Sequence, residues 1–238
     1  MALPSLAQGG LAVTTLASAV GTYIALSPPN PYNPSIPTAG DAIRALNLTH
    51  KHATKVTLAP LGFLALHTSG LALLYPKIPS FILRHGAENG LDPSLITWSA
   101  ATSIPLAVII CAGIPLRLVA YASLGKNFTF AITEPDDLQT TGIYSYVQHP
   151  SYTGLVLLML GNLALFTRTI GVLSCWISPP WYSIVDNVWW ISTPVAVCVF
   201  LMGVWTRVKQ EEDVLRNRFK TKWERWHSQT ARFIPWVF

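Results

Sequence analysis

The chain has 238 residues, 51% of them hydrophobic and only 11% charged, with a net charge of +5. Soluble domains carry about a quarter charged residues, so the composition argues against a water-soluble globule and for a membrane protein. The surplus charge is concentrated at one end: from Arg207 onward eight Lys/Arg stand against four Asp/Glu, +4 of the +5 within the last 32 residues, which favours a juxtamembrane segment on anionic lipid over a nucleic-acid site.

A spanning helix needs ~20 mostly apolar residues, and five windows qualify. The first is Leu6 to Leu26, closed by Ser27-Pro28-Pro29. No charge precedes Asp41, so the basic region of a secretory signal is missing and a first membrane helix is expected. The second window is Val56 to Tyr75, stopped by Pro76. The third, Leu95 to Val119, contains Pro105 and Pro115 and is expected to kink. The fourth, Tyr152 to about Trp176, includes Arg168 and is followed by Pro179-Pro180. It reads either as one long tilted helix or as a shorter helix with a re-entrant end. The fifth is Val188 to Thr206. Cys111, Cys175 and Cys198 each sit in an apolar run without metal-ligand spacing, so they read as small hydrophobes and disulfides are not expected.

With the basic tail in the cytosol, five spans place the Lys51 loop and the Gly125 to Gly154 stretch there too. The Ser178 to Asn187 loop then falls on the far side, and the sequons at Asn47 and Asn127 stay unused. After the fifth span, Val208, Glu212, Leu215, Phe219, Trp223 and Trp226 step by four, three, four, four and three residues. That is one face of a helix, read either as an amphipathic helix on the headgroups or as a helix whose first turns line a polar pocket. Glu212 interrupts the apolar stripe, and a carboxylate on a buried face is costly without a partner. Arg207 and Glu211 are one turn apart and can touch.

Polar backbone between membrane helices must be buried in protein or line a wet cavity. Gly125 to Gly154 is such a stretch, with Asp136, Asp137 and Gln139 upstream of Tyr144, His149, Pro150 and Tyr152. Pro150 suits a first helical position. The free N–H groups of that helix start suit a carboxylate or hydroxyl, and the rings suit an adenine or a cation. An interfacial aromatic belt with His149 as a cap is the plainer reading of any one of these residues. The chain has no GxGxxG, GxxxxGK[ST], GxSxG or HExxH, which leaves a Rossmann site, a P-loop, a nucleophile elbow and a zinc protease unsupported.

The run Asn127-Phe128, Thr141-Gly142-Ile143-Tyr144 and Gln148-His149-Pro150-Ser151-Tyr152-Thr153-Gly154 resembles the isoprenylcysteine carboxyl methyltransferase family. The tail resembles it too, with Arg207, Glu211-Glu212, Leu215, Phe219, Trp223, Trp226 and Arg232-Phe233-Ile234-Pro235. The resemblance covers about Leu116 to Pro235, half the chain.

It implies an all-α integral membrane protein of about five transmembrane helices and a C-terminal amphipathic helix. Residues 1–115 would be N-terminal membrane helices and residues 116–238 the catalytic region. It further implies S-adenosyl-L-methionine as cofactor, held at the cytosolic face of the endoplasmic reticulum membrane. By motif position the cofactor pocket would use Thr133, Asp136, Asp137, Leu138, Gln139, Tyr144, His149, Pro150, Ser151, Tyr152 and Glu211, with Arg207 holding the acceptor carboxylate. Arg207 and Glu211 would form the catalytic pair. The expected partners are the lipid bilayer and prenylated protein C-termini or a lipophilic small-molecule acceptor, with no nucleic acid.

Two departures stand out. Gln148 occupies a place where the family usually has arginine, and the N-terminal half, Met1 to Ile114, resembles nothing beyond membrane helices. They leave open a lipid amine or terpenoid acceptor on the same fold, and, from another class, a non-catalytic membrane scaffold.

Overall fold

In a computed structural model, which describes residues 5–30, 53–125, 128 and 135–235, the protein is an all-α integral membrane protein. Four helices among these residues are long and apolar enough to cross a membrane: Leu6–Leu26, Thr54–Leu74, Pro93–Leu124 and Pro179–Phe219.

Helix α1 (Leu6–Leu26) starts where the Ser5 side chain accepts the Gln8 N–H at 3.2 Å. Its buried face is mostly small (Ala12, Thr15, Ser18, Thr22, Ala25) with Gln8 and Leu11, while Val13, Val20 and Ile24 face outward. Small residues let backbones approach in lipid, and α1 packs closely on α2 (Ala53–Leu74). Ser69 of α2 donates to the Ala12 carbonyl at 3.1 Å.

The third span begins at capped turns. Asp92 accepts the Ser94 N–H, and Ser99 closes a capping box with Thr102. A short helix, α3 (Ser80–Leu83), precedes these turns. The span continues as α4 (Ala100–Val108), a π-helical turn (Ile109–Gly113) and α5 (Ile114–Leu124). The expected irregularity is therefore a widened turn between the two prolines. Pro115 has no N–H for the Cys111 carbonyl, and its ring crowds that group.

Helix α6 (Pro150–Phe166) has 17 residues and stops well short of Trp176. Of the two readings of the fourth window, this rules out the single long helix and agrees with the shorter one. The chain turns at Thr167, Gly171 donates to Arg168 O at 2.9 Å, and a 3-10 turn follows at Val172–Cys175. Asn89 donates to the Ser174 and Ile177 carbonyls at 2.8 and 2.7 Å, and Asp92 N–H donates to Ile170 O. These groups replace the helical hydrogen bonds that the segment gives up. Helix α6 rises ~25 Å, and the folded segments around residues 76–98 and 167–178 cap that end of the bundle.

Glycines set the seam between α6 and the third span. A Cβ at Gly154 would lie 3.0 Å from Gly113 O and 3.1 Å from Arg117 N, both backbone atoms. Helix propensity alone would favour alanine by ~1 kcal/mol, but overpacking costs about 1–3 kcal/mol. Gly154→Ala is expected to lower the thermal unfolding midpoint in detergent. An unchanged midpoint would refute this packing account.

Helix α7 (Pro179–Phe219) runs 41 residues without interruption. The C-terminal amphipathic helix expected after Thr206 is therefore no separate element: residues 206–219 contain no glycine or proline and simply continue the span. The break comes at Lys220, with φ +45°, and α8 (Thr221–His227) follows. The apolar stripe crosses this break. Trp223 and Trp226 of α8 pack on Leu138 and Tyr144, with Leu215 and Phe219 of α7 alongside.

Trp98 donates to Ala7 O at 2.7 Å, so the start of α1 lies at the capped end of the bundle. The end of α1 lies at the other, where Asn30 donates to Gly125 O and Phe128 O. The C-terminal tail reaches this same end.

Candidate functional site

The polar stretch enters the site through a turn at Gly142, whose φ is +64°, a value glycine adopts without strain. Gly142–Ser145 then forms a 3-10 turn that buries Tyr144. Trp226 donates to Tyr144 O at 2.8 Å. Burial, reinforced by the nearby Glu211 carboxylate, pushes the Tyr144 hydroxyl far above its ordinary range, so it stays protonated.

His149 stands at the N-cap of α6, but its side chain does not cap the helix, which corrects the capping alternative. It is 3% exposed, and its Nε2 lies 3.4 Å from Glu212 Oε1. Its Nδ1 is buried without a hydrogen-bond partner among the described residues. Pro150 follows at the first helical position, as expected. The Ser151 hydroxyl accepts from Arg117 Nη1 at 2.8 Å.

The last turns of α7 supply the facing half. Arg207, Val208 and Glu212 are the buried residues of this helix. The Tyr152 hydroxyl lies within electrostatic reach of both the Glu211 carboxylate and the Arg207 guanidinium. Glu212, 5% exposed, resolves the anomaly in the stripe: Arg232 Nε lies 2.9 Å, Lys209 Nζ 3.1 Å and His149 Nε2 3.4 Å from its oxygens. A buried carboxylate so surrounded is compensated.

The structure thus brings Tyr144, His149, Ser151, Tyr152, Arg207 and Glu211 together. It does not bring the whole upstream segment with them. Asp137 is exposed and pairs with Lys222 Nζ at 2.7 Å, a contact that holds its carboxyl below the usual range. Asp136 is exposed, Leu138 is buried against Trp223 and Trp226, and Gln139 donates to the Thr141 hydroxyl at 2.9 Å. Thr133 lies outside the described residues, as do Asn47, Lys51 and Asn127.

Sequence reasoning missed Arg117. Its Nε donates to Ala25 O at 3.0 Å, and its guanidinium lies 5.0 Å from the Tyr121 ring centroid. Tyr121 also donates to Ala25 O. Arg117 therefore ties the end of α1 to the start of α6. The readable signal was a charge inside an apolar window, which in a membrane marks a function or a buried contact.

A cavity of about 390 Å³ lies beside the polar cluster, lined by Leu116, Ile143, Val147, Pro150, Phe233 and Ile234 among others. Its walls are apolar, so it suits hydrocarbon and not a charged nucleoside. Phe233 stands between the two, its ring 6.0 Å from that of His149.

The model of the isoprenylcysteine carboxyl methyltransferase (ICMT) family matches residues 106–184, which include the Gly125 to Gly154 stretch. The chain is also 25% identical over 193 residues to protein-S-isoprenylcysteine O-methyltransferase B of Arabidopsis thaliana, covering 78% of this chain and 81% of the relative. Made against different references, the two comparisons support one and the same family for this chain, the isoprenylcysteine carboxyl methyltransferases.

Proposed function

We propose that this chain uses S-adenosyl-L-methionine to esterify the carboxylate of a C-terminal prenylcysteine. The observation that carries the reading is the surroundings of the Tyr152 hydroxyl, which feels both the Glu211 and the Arg207 charge. They put an anionic and a cationic side chain within one hydroxyl's reach, as a cationic cofactor and an anionic acceptor require.

The residues fit the cofactor. If His149 Nε2–H donates to Glu212, its buried Nδ1 keeps a lone pair with no donor among the described residues, and an unsatisfied buried acceptor is costly. A ligand ammonium, amine or hydroxyl would satisfy it. Glu211 and the rings of Tyr144 and Tyr152 suit a cation. In this reading Tyr144, His149, Pro150, Ser151, Tyr152 and Glu211 hold S-adenosyl-L-methionine, with Thr133 and the Asp136 to Gln139 segment closing the pocket. When bound, the cofactor supplies a methyl group on a sulfonium.

The protein's own task is positioning. An α-carboxylate has an unperturbed pKa near ~3.5, so it is ionised at neutral pH and needs no general base. Arg207 clamps it through two parallel N–H donors, which a lysine cannot offer. Burial of Arg207 removes water from the nucleophile, and alignment can supply up to ~7–11 kcal/mol in the best intramolecular cases. The apolar cavity beside Pro150 gives the acceptor's hydrocarbon a place to lie. Residues 116–238 carry this machinery, with Ala25 of α1 anchoring Arg117. By the positive-inside argument the site faces the cytosol, and the family resemblance implies the endoplasmic reticulum membrane.

Membranes containing the chain are expected to transfer labelled methyl from S-adenosyl-L-methionine to N-acetyl-S-farnesylcysteine as a base-labile ester. Cofactor binding without such an ester, or label only in lipid amines or terpenoids, would refute the acceptor. Failure to bind cofactor would leave the scaffold reading.

A further inference from the structure

Gln148 is one of the two departures from the family pattern, and the structure commits its whole side chain to the C-terminal tail. It is 3% exposed. Its Nε2 donates to Thr230 O at 2.7 Å, the Thr230 hydroxyl at 3.0 Å and His227 O at 3.2 Å. Two of these partners are carbonyls, which can only accept, so the orientation of the amide is fixed. Its Oε1 then faces His227 Nδ1 at 2.8 Å. An amide oxygen cannot donate, so Nδ1 carries the proton.

That choice propagates. In a neutral imidazole protonated at Nδ1, Nε2 is an acceptor, and Arg232 Nη2 lies 3.5 Å from it. Arg232 Nε in turn donates to Glu212 Oε1 at 2.9 Å, and Glu212 receives His149 Nε2. The His227 ring is stacked on Trp223 at 4.3 Å, which fixes its plane. Burial holds His227 below the usual histidine range, and Arg232, Lys209 and His149 add to this against the opposing pull of Glu212. The neutral ring is therefore the form present at neutral pH.

We propose that Gln148 is a positioning residue: it sets the His227 tautomer, which lets His227 accept from Arg232 and so holds Arg232 on Glu212 and Glu212 on His149. The proposal rests on the reading of His149 as a cofactor contact. An arginine at 148 could donate to the same carbonyls but could not accept the Nδ1 proton. It would also add a cation beside Arg232 and Lys209. In this chain, glutamine is the residue that serves both ends of the relay.

The tail has backbone ties of its own, Gln148 N–H to Ala231 O at 2.8 Å and His149 N–H to Arg232 O at 2.9 Å. A side-chain substitution can thus break the relay while the tail stays docked. The test is ¹⁵N NMR of histidine-labelled protein in detergent at pH 7.5, with calorimetric titration of S-adenosyl-L-methionine. Wild type is expected to show His227 protonated at Nδ1 only. Gln148→Met and Gln148→Arg are expected to lose that signature and bind cofactor roughly ten-fold more weakly, as when a coupled buried hydrogen bond is lost.

A wild-type His227 protonated at Nε2, or at both nitrogens, overturns the proposal whether or not the variants fold. So does a Gln148→Met protein that keeps the Nδ1–H signature, or one that loses it at unchanged cofactor affinity. A wild type that binds no cofactor overturns the methyltransferase reading instead, and the ring signatures then still decide the Gln148 relay.

Discussion

Arg207→Ala is expected to abolish methyl transfer while S-adenosyl-L-methionine still binds. Arg207 is 7% exposed and sits on the last membrane turns of α7, where it and Glu211 both act on the Tyr152 hydroxyl. Removing it leaves Tyr152 its Glu211 partner, so the cofactor side of the cluster keeps its geometry. The acceptor carboxylate, however, loses its charge-assisted clamp in a site shielded from water. Loss of one preorganised contact of this kind costs about 10²–10³-fold in rate. Arg207→Lys is expected to recover little, because an ammonium cannot make the paired contact. The check is kcat/KM on N-acetyl-S-farnesylcysteine beside calorimetric cofactor affinity. If affinity fell with activity, the division of roles between Arg207 and Glu211 would be wrong.

Glu211→Ala is expected to do the reverse and weaken cofactor binding about ten- to a hundred-fold, which is ~1.4–2.8 kcal/mol. One charge contact supplies that much at an effective dielectric near ~20. Glu211→Gln separates the two contributions. It keeps a hydrogen-bonding group for Tyr152 and removes only the charge, so most of the loss should persist. A Glu211→Ala protein with wild-type affinity would take Glu211 out of the cofactor pocket altogether. Tyr144 offers an internal control, since its hydroxyl is held protonated by burial and Glu211 together; the Gln variant relieves only the second of these.

Much of this architecture was legible. Ser27-Pro28-Pro29 ends α1 where expected, and Pro105 and Pro115 bracket the irregular turn. The fourth window stayed open between a long and a shorter helix because the apolar run continues past Phe166 to Trp176. Hydropathy cannot tell a helix from a folded cap whose carbonyls are taken by Asn89, a residue 85 positions away. The end of the fifth span was misjudged for the opposite reason: composition changes at Thr206 and the backbone does not. In the site, the Arg207–Glu211 spacing and the misplaced Glu212 were both readable from helical period. The meaning of Gln148 was not, because its partners His227 and Thr230 lie 79 and 82 residues away.

The continuity of α7 has one more consequence. A helix of 41 residues is ~60 Å long, and its buried residues, Arg207, Val208 and Glu212, all lie near one end. No loop separates the span from Arg207, Glu211 and Glu212. A span adapts to bilayer thickness by tilting, and here a change of tilt is transmitted directly to those three side chains. Lipid chain length is therefore expected to shift the geometry of the site.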